Sequence, residues 1–225
     1  MKVADNLANI EDKIQQACEK SGRSRQEITI IAVTKYVSVG RATEAVEAGI
    51  KNLGENRDDG LLAKYAELNG RADFHFIGSL QTRKVKNIID KVEYIHSLDR
   101  ISLAEEIQKK ADKPVKCFVQ VNVSGEDSKH GIDPSTAIEF VRDLEKFDKI
   151  IVAGLMTMAP FTQDEAVLRE CFNKLKQLRS EIQNEALEYA PCTELSMGMS
   201  NDFPIAIEEG ATMVRIGTAL VGEDS

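Results

Sequence analysis

Apolar residues recur every three or four positions over the first twenty residues of the chain. This spacing places Val3, Ile10 and Ile14 on one stripe, and the pattern ends near Gly22. Such a stripe is typical of an amphipathic helix that covers a core with one face. The sequence therefore predicts a helix over residues 3 to 20.

A short apolar run rich in isoleucine, valine and threonine follows at residues 27–34. Its length and its β-branched content favour a strand that is covered on both faces. Helical spacing then returns between Ser38, a suitable helix cap, and Gly49, which suits a helix end. Together these segments predict one strand followed by one helix.

The same alternation continues to the end of the chain. Further strands are predicted at residues 52–54, 73–77, 93–97, 115–123, 150–156, 193–196 and 212–216. The predicted helix starts between them are Asn56, Asp99, Asp133-Pro134 and a capping box of Thr162 with Glu165 before a long helix over 163–189.

Eight strands, each but the last followed by a substantial helix, predict an α/β fold of the (β/α)8 TIM-barrel type. No linker, repeat or low-complexity stretch divides the chain, so residues 1–225 are predicted to form a single domain. Since little chain remains after the last strand, the extra N-terminal helix is expected to complete the outer ring. An open doubly wound sheet is the rival fold.

The composition is that of a folded, acidic protein. The 225 residues are 42% apolar and 29% charged, and the net charge is -8. This charge disfavours nucleic acids and anionic membranes as partners. No apolar run approaches the roughly 20 residues that span a bilayer, and the N-terminus is too polar for a signal peptide. We therefore expect a cytoplasmic protein.

The four cysteines lie far apart in the sequence, at Cys18, Cys117, Cys171 and Cys192. They form no CxxC pair and no spacing with histidine that suits zinc. The expectation is therefore reduced thiols and no metal site.

The functional residues of a TIM barrel lie at the carboxyl ends of its strands. Lys35 follows the first predicted strand, where its amine would lie in the barrel mouth beside apolar neighbours. Burial would lower the pKa of this amine, as a lysine needs in order to attack a carbonyl and form a Schiff base. On position alone, however, a solvated lysine leading into a loop is the favoured interpretation.

Two loops at the same end have the composition of an anion site. Residues 195–202 (LSMGMSND) follow the seventh strand, and Gly217 and Thr218 follow the eighth. Small residues and helix N-termini present backbone amides to a phosphate, although Ser200 or Asp202 could simply cap a helix. A lysine opposite a phosphate cradle fits either pyridoxal phosphate (PLP) or a phosphorylated sugar aldehyde or ketone.

The motifs of this chain resemble the YggS/PROSC family of PLP homeostasis proteins, which is related in fold to the barrel domain of alanine racemase. The matching stretches run in order through nearly the whole chain: AVTK (32–35), LGEN (53–56), FHFIGSLQ with Arg83-Lys84 (74–84), NVSGEDSKHG (122–131), GLMTM (154–158), LSMGMSND (195–202) and MVRIGTALVG (213–222).

The resemblance implies a fold-type III PLP-binding barrel in which Lys35 forms a Schiff base with the cofactor aldehyde. The other implied contacts are Ser200, Gly217 and Thr218 to the phosphate, Arg215 to the pyridine nitrogen, and Asn56 to the ring side of the pocket. After LGEN this chain has Arg57-Asp58-Asp59, where relatives more usually have an aromatic or apolar residue and a glutamine. Contacts that those residues make in the family are therefore not assigned to this chain.

The histidines are harder to assign from the sequence. His75 could face either the mouth or the core, and His96 is expected to be structural. Lys129 and His130 lie in a glycine-flanked loop that could form a rim over the pocket.

Arg215 bears on the choice between carrier and catalyst. A guanidinium beside the pyridine nitrogen keeps that nitrogen unprotonated, which makes the ring a poorer electron sink. Racemases with this arrangement use a second base, normally a partner subunit's tyrosine, and an added β-domain. This chain is too short for that domain, and Tyr36 is expected to point away from Lys35 because adjacent strand residues face opposite sides.

The resemblance therefore implies a non-catalytic PLP carrier that acts in vitamin B6 homeostasis and delivers the cofactor to apo-enzymes. A monomer is expected, because the second domain that is the usual reason for dimerisation in the racemases is missing. A small PLP-dependent racemase or lyase is the first alternative. A class I aldolase that uses no cofactor is the second.

Overall fold

The computed structural model describes residues 2–125 and 130–222 of the chain. Eight parallel strands form a closed barrel in sequence order. They are β1 Thr29–Val33, β2 Asn52–Glu55, β3 Asp73–Phe76, β4 Tyr94–Leu98, β5 Val115–Gln120, β6 Ile150–Met156, β7 Glu194–Met199 and β8 Met213–Ile216. The first and last strands pair from Thr29 with Met213 to Ala32 with Ile216. This closure confirms the TIM barrel and excludes the open sheet.

Helices surround the strands. They are α1 Val3–Ser21, α2 Val39–Glu47, α3 Asp58–Leu68, α4 Val85–Ile88, α5 Ile101–Lys110, α6 Ala137–Asp143, α7 Glu165–Asn184, α8 Phe203–Glu208 and α9 Thr218–Val221. The prediction of a substantial helix after each of the first seven strands is wrong after β3, where α4 is a single turn. The eighth helix is short, as predicted.

Helix α1 takes the place that a longer eighth helix would fill. It packs against α8 and α9, and the Asn6 side-chain amide donates a buried hydrogen bond of 2.8 Å to the Leu220 carbonyl in α9. Its apolar stripe, including Ile10 and Ile14, is buried. The predicted role of the N-terminal helix in closing the outer ring is confirmed.

Two hydrophobic cores hold the barrel. The larger core joins the outward side chains of the strands to the helices. The smaller one fills part of the barrel interior and contains Ile31, Phe118, Met156 and Met213, with Tyr94 packed against it. Inward side chains from several strands thus make the interior a packed layer rather than a pore.

Three of the predicted helix starts are wrong. Asn56 and Asp99 do not begin α3 and α5, which start two residues later, at Asp58 and Ile101. At α7, Asp164 caps the helix in place of the predicted capping box. Its carboxylate accepts hydrogen bonds from the backbone amides of Ala166 and Val167. A carboxylate adjacent to the first turn satisfies these free amides better than the hydroxyl of Thr162, which instead accepts from the Asp164 amide.

All four cysteines are buried, and none forms a disulfide. Burial raises the pKa of the Cys117 thiol to about 12. Within residues 2–125 and 130–222, no helix is long and apolar enough to cross a bilayer, and no cluster of histidine, cysteine and acidic side chains has the makings of a metal site.

Candidate functional site

Lys35 lies two residues beyond the end of β1, at the carboxyl end of the barrel. The strand stops at Val33, so Lys35 and Tyr36 form a turn before α2 rather than the last positions of a strand. Both residues are exposed, and the Lys35 ammonium lies 4.7 Å from the centroid of the Tyr36 ring. The amine is therefore exposed, as position alone predicted, and not buried as in the Schiff-base interpretation. The expectation that Tyr36 points away from it is wrong.

A cavity of about 250 Å³ joins Lys35 to the loop after β8. Its walls include Lys35, Tyr36, Gly217 and Thr218. The barrel closure between β1 and β8 makes these two loops neighbours. The structure thus brings together three of the residues predicted from the sequence, the lysine and two of the phosphate contacts.

Ser200 belongs to the same corner of the barrel. Its hydroxyl accepts a hydrogen bond of 3.3 Å from the Gly217 amide. Within its loop, the Met199 amide donates to Asp202 at 2.6 Å, and Asp202 precedes α8 without a side-chain capping bond. Neither Ser200 nor Asp202 therefore acts as a simple helix cap. Burial raises the pKa of Asp202.

Gly198 shapes this loop. It adopts a φ of +94°, and a Cβ at this position would lie 2.6 Å from the Cβ of Ala206. Both the backbone conformation and the close approach of α8 require glycine here.

Arg215 lies on β8 below this corner and is 4% exposed. Its guanidinium donates to Ser196 Oγ at 2.6 Å and to the Thr157 carbonyl at 2.9 Å. Burial lowers its pKa to about 10, with Asp202 acting in the opposite direction. The side chain is therefore still a cation at neutral pH.

Asn56 follows β2, on the other side of Lys35 from β8. Its Oδ1 atom is buried and has no hydrogen-bond partner in the described part of the chain. The neighbouring Gly78 has no room for a side chain, because a Cβ there would lie 2.7 Å from Asn56 Cβ. Asn56 is thus held tightly while its acceptor stays unsatisfied.

Sequence reasoning missed a buried ion pair beside the lysine. Lys64 Nζ lies 2.7 Å from Glu55 Oε1, with side chains 5% and 1% exposed. Thr34 joins the pair, since its hydroxyl donates to Glu55 at 2.5 Å and its carbonyl accepts from Lys64 at 2.8 Å. One signal was present in the sequence: Lys64 falls on the apolar stripe of its helix, between Leu61 and Leu68.

This ion pair borders the predicted site. Glu55 and Lys64 share a second cavity of about 380 Å³ with Lys35. Thr34 directly precedes Lys35, and Glu55 directly precedes Asn56. The pair therefore fixes the backbone from which both predicted cofactor residues project.

The remaining sequence candidates lie apart from this corner. His75 and His96 are fully buried and bonded to each other inside the barrel, so His75 does not face the mouth. His130 is exposed, and Lys129 lies outside the described residues.

The Arg57-Asp58-Asp59 segment also makes its own contacts. Asp58 bonds to Lys84 and Asn87, and the hydrogen bond from Lys84 lowers the pKa of its carboxyl. Arg57 pairs with Asp59 at the surface. The segment thus ties the start of α3 to the short helical turns after β3.

Comparison with known proteins gives matches over almost the entire chain. The family model of the alanine racemase N-terminal domain matches residues 6–225. The chain is 42% identical over 227 residues to the pyridoxal phosphate homeostasis protein of Aquifex aeolicus, covering 99% of each. It superposes with a TM-score of 0.93 and 35% identity on a protein of Bifidobacterium adolescentis, covering 97% of this chain and 94% of that one.

A further solved relative is PipY of Synechococcus elongatus, whose structure contains bound PLP. It is 31% identical with a TM-score of 0.85, and the alignment covers 98% of this chain and all of PipY. The resemblance predicted from the sequence motifs is confirmed by these matches. This chain therefore belongs to the family of pyridoxal phosphate homeostasis proteins, which has the barrel fold of the alanine racemase N-terminal domain.

Proposed function

We propose that this protein binds PLP as a Schiff base on Lys35 and delivers it to apo-enzymes without catalysing a reaction of its own. The observation that carries the proposal is the cavity that the exposed Lys35 lines together with Gly217 and Thr218. A relative of the same fold, PipY, has PLP bound. Such a cofactor supplies an aldehyde that condenses with an amine.

The residues at the mouth fit this ligand. Ser200, Gly217 and Thr218 supply hydroxyl and amide groups of the kind that bind phosphate. Arg215 supplies a donor for the pyridine nitrogen. The unsatisfied Oδ1 of Asn56 is a buried acceptor, which normally has a partner, and a polar substituent of the ring would provide one.

The charge beside the pyridine ring of PLP favours a carrier over a catalyst. An ionised Arg215 beside the pyridine nitrogen opposes protonation of that nitrogen, because two positive charges a few ångströms apart repel. The exposure of Lys35 leaves the attachment point open to an acceptor protein. The relatives are likewise named for homeostasis rather than for a catalysed reaction.

One observation favours the second candidate, a small PLP-dependent racemase or lyase. Tyr36 lines the same cavity as Lys35 and is 77% exposed, so its phenol is a possible second base. Sustained exchange of amino-acid α-protons in deuterated water, abolished by Tyr36→Phe, would establish this alternative. We expect no exchange at enzyme-like rates, and faster transfer of PLP to an apo-enzyme than its release into buffer.

Lys35→Ala should abolish covalent attachment. With PLP added, the wild-type protein should show a visible absorption band that borohydride shifts, and mass spectrometry should find the reduced adduct on Lys35. The variant should show neither, yet keep residual PLP bound through the phosphate loops. Lys51→Ala is the matched control, because Lys51 is exposed at the opposite end of the barrel. An adduct that persists in Lys35→Ala would refute the proposal.

Ser200→Ala combined with Thr218→Val should weaken PLP binding while the band persists at high cofactor concentration. Each lost hydrogen bond to a charged phosphate is worth roughly 1.5 to 3 kcal/mol. Absorbance titration measures the dissociation constant. An unchanged constant would mean that the phosphate binds elsewhere.

A further inference from the structure

A chain of hydrogen bonds crosses the inside of the barrel. We call its members, Asn52, His75, His96, Ser196 and Arg215, the barrel relay. The distances are 3.0 Å from Asn52 Oδ1 to His75 Nε2, 2.9 Å from His75 Nδ1 to His96 Nε2, 2.8 Å from His96 Nδ1 to Ser196 Oγ and 2.6 Å from Ser196 Oγ to Arg215 Nη1. Because β4 and β7 are not neighbours in the sheet, the bond between His96 and Ser196 passes through the interior.

The direction of every bond in the barrel relay follows from Asn52 and from the neutral state of the two rings. Asn52 Oδ1 is a carbonyl oxygen and only accepts, so His75 Nε2 carries a hydrogen and donates to it. Burial lowers the pKa of His75 to about 3 and that of His96 well below its usual value, so both rings are neutral at pH 7. A neutral imidazole that donates at Nε2 accepts at Nδ1. His75 Nδ1 therefore accepts from His96 Nε2, and His96 Nδ1 accepts from the hydroxyl of Ser196, whose oxygen accepts from Arg215.

Arg215 needs such support because it is a buried cation without an ion pair. In the described part of the chain, its hydrogen-bond acceptors are Ser196 Oγ and the Thr157 carbonyl, and no carboxylate lies within salt-bridge distance. A buried charge of this kind is costly unless dipoles are aimed at it. In every bond of the barrel relay the donor lies on the Arg215 side and the acceptor on the Asn52 side, so each bond polarises the next. The lone pairs of Ser196 Oγ therefore face the Arg215 cation.

The two histidine rings are also fixed in their planes. His75 stacks on Tyr94 with 4.8 Å between ring centroids, and His96 stacks on Phe118 with 4.3 Å. These contacts leave the rings little freedom to turn away from their partners. The barrel relay is thus a rigid support beneath Arg215.

We propose that Ser196, His96 and His75 are positioning residues that hold Arg215 ionised and in one orientation, with its remaining N–H groups free for an acceptor atom of the ligand. None of the three touches the ligand. That the acceptor is the pyridine nitrogen of PLP rests on the proposed function, whereas the barrel relay itself does not depend on it.

Nitrogen-15 NMR of histidine-labelled protein without PLP tests the barrel relay by itself. Both buried rings should carry their proton on Nε2 and stay neutral between about pH 5.5 and about pH 8.5. In Ser196→Ala, rotation of the Arg215 guanidinium should become faster because one of its two anchors is lost. A proton on Nδ1 of either ring, or a charged ring at neutral pH, would overturn the proposal.

PLP binding tests the consequence at the ligand. Ser196→Ala and His96→Leu should each weaken PLP binding about tenfold, the effect of losing one hydrogen bond to a charged group. His96→Asn keeps an acceptor near the position of Nδ1 and should restore most of the affinity. Inorganic phosphate, titrated alone by calorimetry, should bind all variants equally, because the proposed phosphate contacts Ser200, Gly217 and Thr218 are not members of the barrel relay.

Two results in the binding experiment would contradict the proposal. One is unchanged PLP affinity in both Ser196→Ala and His96→Leu. The other is an equal loss of affinity for PLP and for inorganic phosphate, which would indicate general disruption of the barrel. If the wild-type protein binds no PLP at all, the proposed function fails, and the NMR experiment still decides whether the barrel relay exists.

Discussion

Lys64→Met should destabilise the protein by about 3 to 5 kcal/mol, the usual cost of removing one partner from a buried ion pair. The Glu55 carboxylate would lose its cation while remaining 0% exposed. Its second oxygen already has no hydrogen-bond partner in the described residues, so Thr34 alone would support the charge. Urea unfolding followed by circular dichroism measures the loss.

Two further variants make this experiment specific. Lys174→Met removes an exposed pair with Glu170, whose side chains are 54% and 66% exposed, and should cost about 0.5 kcal/mol or less. Lys64→Met combined with Glu55→Leu should recover much of the stability, because no unpaired charge remains in the interior. A loss below about 1 kcal/mol for Lys64→Met would mean that water reaches Glu55.

Lys64→Met should also affect Lys35, the predicted cofactor lysine. Lys64 holds the carbonyl of Thr34, the residue before Lys35. In Lys64→Met the turn that carries Lys35 loses this anchor, so Schiff-base formation should slow even at temperatures where the protein remains folded. Stopped-flow absorbance after mixing with PLP measures this rate.

Acid should destabilise the protein through its buried histidines. The pKa of His75 in the folded state is about 3, below the value of about 6.5 in an unfolded chain. Between these values the unfolded state binds more protons, so stability falls as the pH falls. The loss should be about 1.4 kcal/mol per pH unit for each such histidine, or about 2 to 3 kcal/mol between pH 6 and pH 4.

Comparison with His75→Gln isolates this contribution from that of the carboxylates. Glutamine offers an acceptor to His96 and a donor to Asn52 but does not titrate. Between pH 6 and pH 4, the free energy of unfolding of His75→Gln should therefore fall by about 2 to 3 kcal/mol less than that of the wild-type protein. The neighbouring cations Lys116 and Arg215 remain in both proteins. His130→Gln is the control, because this exposed ring is not buried on folding. Equal pH dependence in wild type and His75→Gln would contradict the assignment.

Local pattern was enough to predict the architecture. The β-branched run that contains β1 and the helical stripe of α1 each carry their own periodicity, and eight repeats of strand and helix leave few ways to bury both faces of a parallel sheet. The errors in the predicted helices were local as well. The helix after β3 is a single turn, and Asp164 rather than Thr162 caps α7, because capping depends on geometry within one turn.

The candidate site divides in the same way. Glycine-rich loops after the last two strands and a lysine after the first were visible in the sequence, because strand order fixes which loops are neighbours. Position alone also favoured a solvated Lys35, and the structure gives the reason, because β1 ends two residues earlier, at Val33, and a turn follows. The contact between Lys35 and Tyr36 follows from that same turn.

Periodicity, together with motifs that are continuous along the chain, was sufficient to predict the closed barrel, the family and the residues that surround the mouth. The partners of the buried charges, in contrast, depend on how distant parts of the chain pack together. Glu55 pairs with Lys64, Arg215 donates to Ser196, and Ser196 bonds to His96, which lies 100 residues away in the chain. No local pattern encodes such pairs, since each exists only because barrel closure removes the groups from water and leaves them to satisfy one another.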